Sequence, residues 1–544
     1  MADRKPRVDF SRKRFLIIDD FSDMRSMLRH MVESFGATRI DVAGDAKEAL
    51  KLMSRHSYDV VLCDYNLGEG KDGQQLLEEA KHRKLIRFST VFMMLTAENT
   101  MQMVMGAVEY YPDDYLSKPF TKDTLRQRLE RIILRKADLE EIEEQVQRGE
   151  LAEAIRLCDE RIRARPRNLR EFQKLKGELC LRQGRYQEAE ALYRDVIRER
   201  LVPWARLGLG KVFFHTGRLE AARNTFQELV EENEHFMEAY DWLAKTLERQ
   251  GEEHEARRWL ETAATLSPKA ILRQMNLGDL ALRCQDYATA ARAFKKAVKL
   301  GEHSVYRTPA NYSKQARALA RNGSGTEALR VLGRLRRDFP DDQEARLYAE
   351  LAESTVLQDL GRSEEAQEAY RRAARLFQEQ QSRCPPELVL EMAKTSILQG
   401  DEQLGRELAR ELVRNHHEDE ALLQQVQAAF AEIGRSEEGR ELISDSRDNV
   451  VRLNNRGVRL VQEGQLEEAI RLFEAALEDL PHNKTINMNT AMVLLKYMEQ
   501  HGPTPEHLER VRRCLQMVRE TAPQEPDLPA LQARFDRLVN AHAA

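Results

Sequence analysis

Long apolar runs are missing from this 544-residue chain. Its uninterrupted apolar stretches stop at five residues, as in Val91 to Leu95, far short of the roughly 20 needed to cross a bilayer. Proline (16) and glycine (26) are sparse for the length, which excludes a largely disordered chain and a fold of many tight β-turns. Cysteine is scarce: six residues, at 63, 158, 180, 284, 384 and 514, with no C-x-x-C pair. They read as reduced structural thiols of a cytosolic protein rather than a disulfide framework. An excess of one charge is lacking too, with 86 Lys+Arg against 91 Asp+Glu and a net charge of −5. Bulk electrostatics therefore announce neither a nucleic-acid binder nor a membrane binder. The first residues, Met1 to Lys5, lack the apolar core of a secretion signal, so the expectation is a cytoplasmic protein. What the sequence does have is charge of both signs, 33% of residues, interspersed as on a solvated helical surface. The length implies several domains or a repeat array.

Two textures follow one another, after a basic stretch over residues 1–13 (Arg4, Lys5, Arg7, Arg12, Lys13) that reads as a solvated tail. Over residues 14 to about 120, short β-rich runs alternate with amphipathic stretches. Phe15–Ile18, Ile40–Ala43, Asp59–Cys63, Val91–Leu95 and Tyr115–Leu116 predict five strands; Met24–Phe35, Ala46–Arg55 and Gln74–Arg83 carry helical spacing. Such alternation predicts a parallel sheet covered on both faces, with any ligand at the carboxyl edge of the strands. Polar residues collect there. Asp19 and Asp20 follow the first strand, Asp64 the third, Thr96 the fourth, and Lys118 the fifth. Converging carboxylates repel unless a cation joins them, and a hard, partly hydrated ion such as Mg²⁺ suits one or two carboxylates with room for phosphate oxygens. A carboxylate can also act as nucleophile and form an acyl phosphate, which Lys118 and Thr96 would neutralise and position.

These pieces resemble the receiver domain of two-component response regulators: Ile17-Ile18-Asp19-Asp20, Val61-Leu62-Cys63-Asp64-Tyr65-Asn66, Leu95-Thr96-Ala97-Glu98 and Tyr115-Leu116-Ser117-Lys118-Pro119-Phe120. The resemblance, over residues 14–135, implies a flavodoxin-like doubly wound (βα)5 fold. It implies Asp64 as phosphoacceptor, Asp19, Asp20, Asp64 and the Asn66 backbone carbonyl around Mg²⁺, and Thr96 with Lys118 as phosphate-sensing residues. Tyr115 is the implied switch aromatic, and the Lys118–Pro119 bond is cis in the family. One segment departs from the family pattern. In Leu67-Gly68-Glu69-Gly70-Lys71-Asp72-Gly73 the usual Pro is absent, and a Gly stands nine rather than eight residues beyond Asp64.

From about residue 121 the pattern is helical and periodic. Gly149/Ala154/Cys158, Gly184/Ala189/Tyr193, Gly217/Ala222/Phe226, Gly251/Ala256/Leu260, Gln285/Ala290/Phe294, Gly323/Ala328/Leu332, Gly361/Ala366/Tyr370 and Gly464/Ala469/Phe473 repeat one arrangement. A small residue (Gly177, Gly210, Gly278, Gly457) stands seven before the turn, and around Gly400 and Gly434 the Ala gives way to Gly405 and Gly439. The spacing resembles the tetratricopeptide repeat, an antiparallel helix pair per 34 residues, and implies an all-α superhelical solenoid of about ten pairs over 136–544 with a C-terminal cap. Thr121 caps a helix that continues to about Val146, about 40 Å if unbroken; a kink near Lys136 fits the sequence equally well.

Repeats of this kind bind ligands in their concave groove. Arg182, His215, Arg249, Arg283 and Arg321 each stand two residues before a turn, either as a basic groove or as cations offsetting helix dipoles. Neither Glu178 nor Gly208 supplies the Asn of a chaperone-type carboxylate clamp. Met93, Met94, Met101, Met103 and Met105 read as packing residues, and His416-His417 as solvated surface. The functional expectation is a regulator, not an enzyme on an external substrate. A histidine kinase or phosphotransfer protein would phosphorylate Asp64, and the phosphorylation state would control an unidentified protein partner of the repeats. A homodimer is compatible with the sequence. The alternative is a nucleic-acid-binding regulator using a basic repeat groove.

Overall fold

A computed structural model describes residues 8–97, 112–166, 168–522, 525 and 527–543. The expected tail residues Arg4, Lys5 and Arg7, and Met101, Met103, Met105 and Glu98, lie outside them.

Five strands form one parallel sheet in the order β2-β1-β3-β4-β5: β1 (Arg14–Ile18), β2 (Arg39–Ala43), β3 (Val60–Asp64), β4 (Val91–Thr96) and β5 (Asp114–Ser117). Helices α1 (Ser22–Glu33), α2 (Ala46–Arg55) and α3 (Gly73–His82) connect the first strands. Strand alternation sorts the core into two layers. Phe15, Ile17, Val60, Leu62, Val91, Met93 and Leu95 pack with Leu28 and Val32 of α1. Leu16, Ile18, Val61, Cys63, Phe92 and Met94 pack with Ala46 and Leu50 of α2 and Leu76 and Leu77 of α3. Because chain order reverses between β1 and β3, their ends open a crevice at the carboxyl edge, where Asp19 and Asp64 stand.

The next helix, α4 (Lys122–Gln147), is continuous, with the Thr121 hydroxyl accepting from Thr124 N as its cap. Leu125, Leu129 and Ile132 bury against the sheet, while Leu139 and Ile142 belong to the core of the first repeats. The break into two helices that the sequence allowed near Lys136 does not occur. Lys136 Nζ instead donates to Phe88 O (2.7 Å) and Thr90 O (2.6 Å) and pairs with Asp113 (2.8 Å), tying the middle of the helix to the sheet domain.

Downstream, helix pairs follow the sequence period. Gly149, Gly184, Gly217, Gly251, Gln285, Gly323, Gly361, Gly400, Gly434 and Gly464 all have positive φ, the left-handed conformation that ends the first helix of a pair. The alanines five residues on (Ala154, Ala189, Ala222, Ala256, Ala290, Ala328, Ala366, Ala469) are fully buried. The small residue before each turn lies under an aromatic ring: a methyl group on Gly210 would come within 2.5 Å of Phe226, and Tyr193 is flanked by Gly177 and Gly208. Around Gly434 the pattern weakens because one helix, Ser436–Gln462, runs through two successive units. The chain divides into two compact units, Met1–Asn311 and Tyr312–Ala544, so the sheet domain shares its unit with the first repeats.

Candidate functional site

At the carboxyl edge of the sheet, Lys118 Nζ lies 2.6 Å from Asp64 Oδ1 and 2.9 Å from Asp19 Oδ2. The ammonium reaches this point because β5 delivers it: Lys118 N donates to Thr96 O at 2.7 Å, and the following Lys118–Pro119 peptide is cis, as the family resemblance implied. Asp19 is fully buried and its other oxygen accepts from Phe21 N at 3.0 Å. Asp64 is 7% exposed, and its Oδ2 accepts from Asn66 N at 3.1 Å. Burial pushes the Asp64 carboxyl above its ordinary value even though Lys118 pulls it the other way. Burial also opposes the charged form of Lys118, but the two carboxylates outweigh it and raise its pKa. The site is thus a buried, anion-rich crevice that one ammonium neutralises incompletely.

Asp20 is exposed beside this crevice, with its Oδ2 3.6 Å from where a methyl group on Gly68 would stand. Thr96 is buried at the end of β4. Tyr115 packs into the layer shared with α2 and α3; its hydroxyl is buried with no hydrogen-bond partner among the described residues, and burial raises its pKa. Among the described residues no three His, Cys, Asp or Glu side chains gather closely enough to enclose a metal ion unaided.

The unusual loop after β3 has a physical explanation. Gly73 N donates to Tyr65 O at 2.8 Å, and a methyl group on Gly73 would fall 2.3 Å from the Asp64 carbonyl oxygen. Only glycine fits where α3 begins. The extra residue is absorbed between, where Gly68 and Gly70 take positive φ. Asp72 then caps α3, accepting from Gln75 N, while the Gln75 side chain accepts from Asp72 N.

All five residues of the expected ladder stand in the last turn of their helices, where a positive charge offsets the dipole, although burial and nearby cations disfavour the charged form of His215. Their surroundings differ. His215 stacks on Tyr186 at 5.6 Å, and Arg249 lies 5.0 Å over the Phe214 ring. Arg283 pairs with Glu248 and Glu253, and Arg321 with Glu432 and Asp359. Arg182 is exposed within electrostatic range of Glu143. The His416-His417 expectation needs correction: His417 is only 7% exposed, because Asn483 of a later unit covers it with Nδ2 3.0 Å from Nδ1. All six cysteines are free thiols.

Sequence reasoning missed a second group of polar residues, around α3. Tyr65 and Glu78 are buried although α3 is a surface helix of the receiver. Lys269 Nζ donates to the Tyr65 hydroxyl at 2.9 Å, and Ser304 Oγ lies 2.9 and 3.0 Å from the two Glu78 oxygens. Only a partial signal was available: the turn-to-turn spacing, 33 to 35 up to Gln285, becomes 38 between Gln285 and Gly323, but it is also 38 and 39 over the next two intervals.

The family model of the response regulator receiver domain matches residues 15–130. Tetratricopeptide repeat models match 139–203, 176–235 and 207–271, and 345–380. Chemotaxis protein CheY-3 of Vibrio cholerae serotype O1 is 30% identical over 122 residues, 22% of this chain and 92% of that protein. Chemotaxis protein CheY of Pseudomonas aeruginosa is also 30% identical over 122 residues, covering 97% of its length. A solved receiver domain, of the Francisella response regulator 1452, is 28% identical, with 23% of this chain and 98% of that chain covered and a TM-score of 0.21. No described helix is long and apolar enough to cross a membrane. The chain belongs to the response regulators, with a CheY-like receiver domain followed by tetratricopeptide repeats.

Proposed function

We propose that Asp64 accepts a phosphoryl group from a histidine kinase or phosphotransfer protein in the cytoplasm, and that its phosphorylation state sets what protein the repeats bind. The observation that carries this reading is Lys118 Nζ held between the Asp64 and Asp19 carboxylates. An Asp64 carboxylate oxygen attacks phosphorus, the phosphorus–nitrogen bond of the donor phosphohistidine breaks, and the nitrogen keeps the electron pair. Lys118 and the Thr96 hydroxyl then hold phosphoryl oxygens, which is positioning and charge neutralisation rather than covalent chemistry. Tyr115, packed beside the crevice, is the aromatic that responds to the new position of Thr96.

Asp19, Asp20, Asp64 and the Asn66 carbonyl would hold Mg²⁺, which would supply charge neutralisation for phosphoryl transfer. The donor set fits: all ligands are hard oxygens, few enough to leave the ion partly hydrated. Asp64 and Asp19 face each other across one ammonium, Lys118, so two carboxylates meet a single positive charge there, and a divalent cation would relieve their repulsion. The chain turns over no external substrate, and its output is protein binding. The pairing of Arg283 and Arg321 with carboxylates gives no support to a nucleic-acid groove.

Calorimetric titration with beryllofluoride, a phosphoryl mimic, tests the site. Wild type binds it only with Mg²⁺ present, and Asp64→Asn and Asp19→Asn do not. Binding that survives Asp64→Asn contradicts the assignment.

A further inference from the structure

The receiver touches the repeats at a second place besides the shared helix α4, and this contact grows from the loop that carries the phosphoacceptor. Gln75 closes the capping box of α3 with its oxygen, and its Nε2 donates to Leu300 O at 3.2 Å. Lys71 Nζ donates to His303 O. Leu300 belongs to the last turn of the repeat helix Tyr287–Gly301, where carbonyls lack partners within the helix and a cation is favoured. The receiver therefore completes the end of a repeat helix. In return, Lys269 donates to the Tyr65 hydroxyl and lies 4.8 Å over its ring, and that hydroxyl sits 3.3 Å from Gln74 Oε1. Ser304 binds both oxygens of the buried Glu78.

The stretched spacing before Gly323 has its purpose here. The helices on either side, Tyr287–Gly301 and Pro309–Arg321, are of ordinary length for this array. The surplus residues form the 302–308 connection, which brings Ser304 and the His303 carbonyl to α3.

We propose that this contact is a clasp, closed over the unphosphorylated receiver and opened by phosphorylation of Asp64; it rests on the reading of Asp64 as phosphoacceptor. Tyr65 follows Asp64 directly and Gly73 N is bonded to Tyr65 O, so the clasp residues and the acceptor share one short segment. Closing the clasp buries carboxylates on that segment. Burial pushes the Asp72 carboxyl up and Glu78 up to about 7. A phosphoryl group on Asp64 adds about two negative charges at the start of the segment that carries them, which raises the cost of keeping both out of water and favours the open state. The groups facing Glu78 are Ser304 and Tyr306 from the repeats, and Asp72, Lys71 and Glu79 from the receiver. Lys71 is engaged with Glu79 at 2.7 Å and with the His303 carbonyl rather than with Glu78. Its carboxyl is raised in the closed state relative to a solvated one. The clasp is therefore firmest at low pH and weakens as pH rises toward about 7.

Hydrogen exchange on the full chain with Mg²⁺, read at peptides covering 266–272 and 300–308, tests the proposal alongside calorimetric binding of beryllofluoride. In wild type the mimic accelerates exchange of both peptides about tenfold or more, and in Asp64→Asn it does not. Lys269→Ala and Ser304→Ala exchange fast without the mimic and bind it at least about fivefold more tightly, as reciprocal coupling requires. Glu78→Gln keeps the Ser304 contact without the charge; at pH 8 it exchanges more slowly than wild type, an effect no loss of folding produces. Unchanged or slowed exchange in wild type that has bound the mimic overturns the clasp alone. Failure of wild type to bind the mimic overturns the Asp64 reading and the trigger with it.

Discussion

At the Asp64 carboxyl, burial and a neighbouring charge pull in opposite directions. Burial raises its pKa although an ammonium stands 2.6 Å away. A group raised in the folded state binds more protons there than in the unfolded chain, so its contribution to stability falls as pH rises through the carboxylate range. Without Mg²⁺, Asp64→Asn unfolds at higher temperature than wild type at pH 7, and the difference shrinks toward pH 4; thermal unfolding followed by circular dichroism checks this. Mg²⁺ raises the wild-type midpoint by mass action and leaves that of Asp64→Asn nearly unmoved. Gly73→Ala, with its methyl group 2.3 Å from the Asp64 carbonyl oxygen, costs about 1–3 kcal/mol in denaturant unfolding and weakens beryllofluoride binding. The polar constellation at the strand ends was legible in the sequence because strand-end residues of a parallel sheet share one edge whatever the packing details. The burial of Tyr65 and Glu78 was not, because a polar residue on an amphipathic helix reads as solvated until the surface that covers it is known.

Among the elements, α4 decides how the receiver and the first repeats are joined. Its first half packs on the sheet and its second half on the repeats, with Lys136 between them. Lys136→Met leaves the Phe88 and Thr90 carbonyls without that donor and Asp113 with Arg135 at 3.9 Å, a loss of about 1–3 kcal/mol in chemical unfolding of the full chain. The sequence could not choose between a continuous and a kinked helix, because Lys136 interrupts the apolar stripe and its partners, Phe88 O, Thr90 O and Asp113, are distant in sequence. The repeat helices were legible for the opposite reason. Each alanine, small residue and turn serves a contact within its own unit or with the next, so local spacing carries the whole instruction. Where helix Ser436–Gln462 runs through two units, the 34-residue period fails as well, with turns 30 apart at Gly434 and Gly464.

At the scale of the molecule, the receiver and the first repeats form one compact unit ending at Asn311, and the remaining repeats form another. Within the first unit, the segment that follows Asp64 touches the repeats through the 269 and 300–304 contacts, and α4 packs on the sheet with its first half and on the repeats with its second. A charge added at Asp64 therefore has two physical routes to the repeats. Everything in that account depends on the charge arriving at Asp64. The measurement that tests it most directly is incubation of the full chain with acetyl phosphate and Mg²⁺, followed by mass spectrometric mapping of the modified residue. The account predicts one phosphoryl group per chain on Asp64, lost in Asp64→Asn and on removal of Mg²⁺. An unmodified chain, or a phosphoryl group that persists in Asp64→Asn, would contradict it.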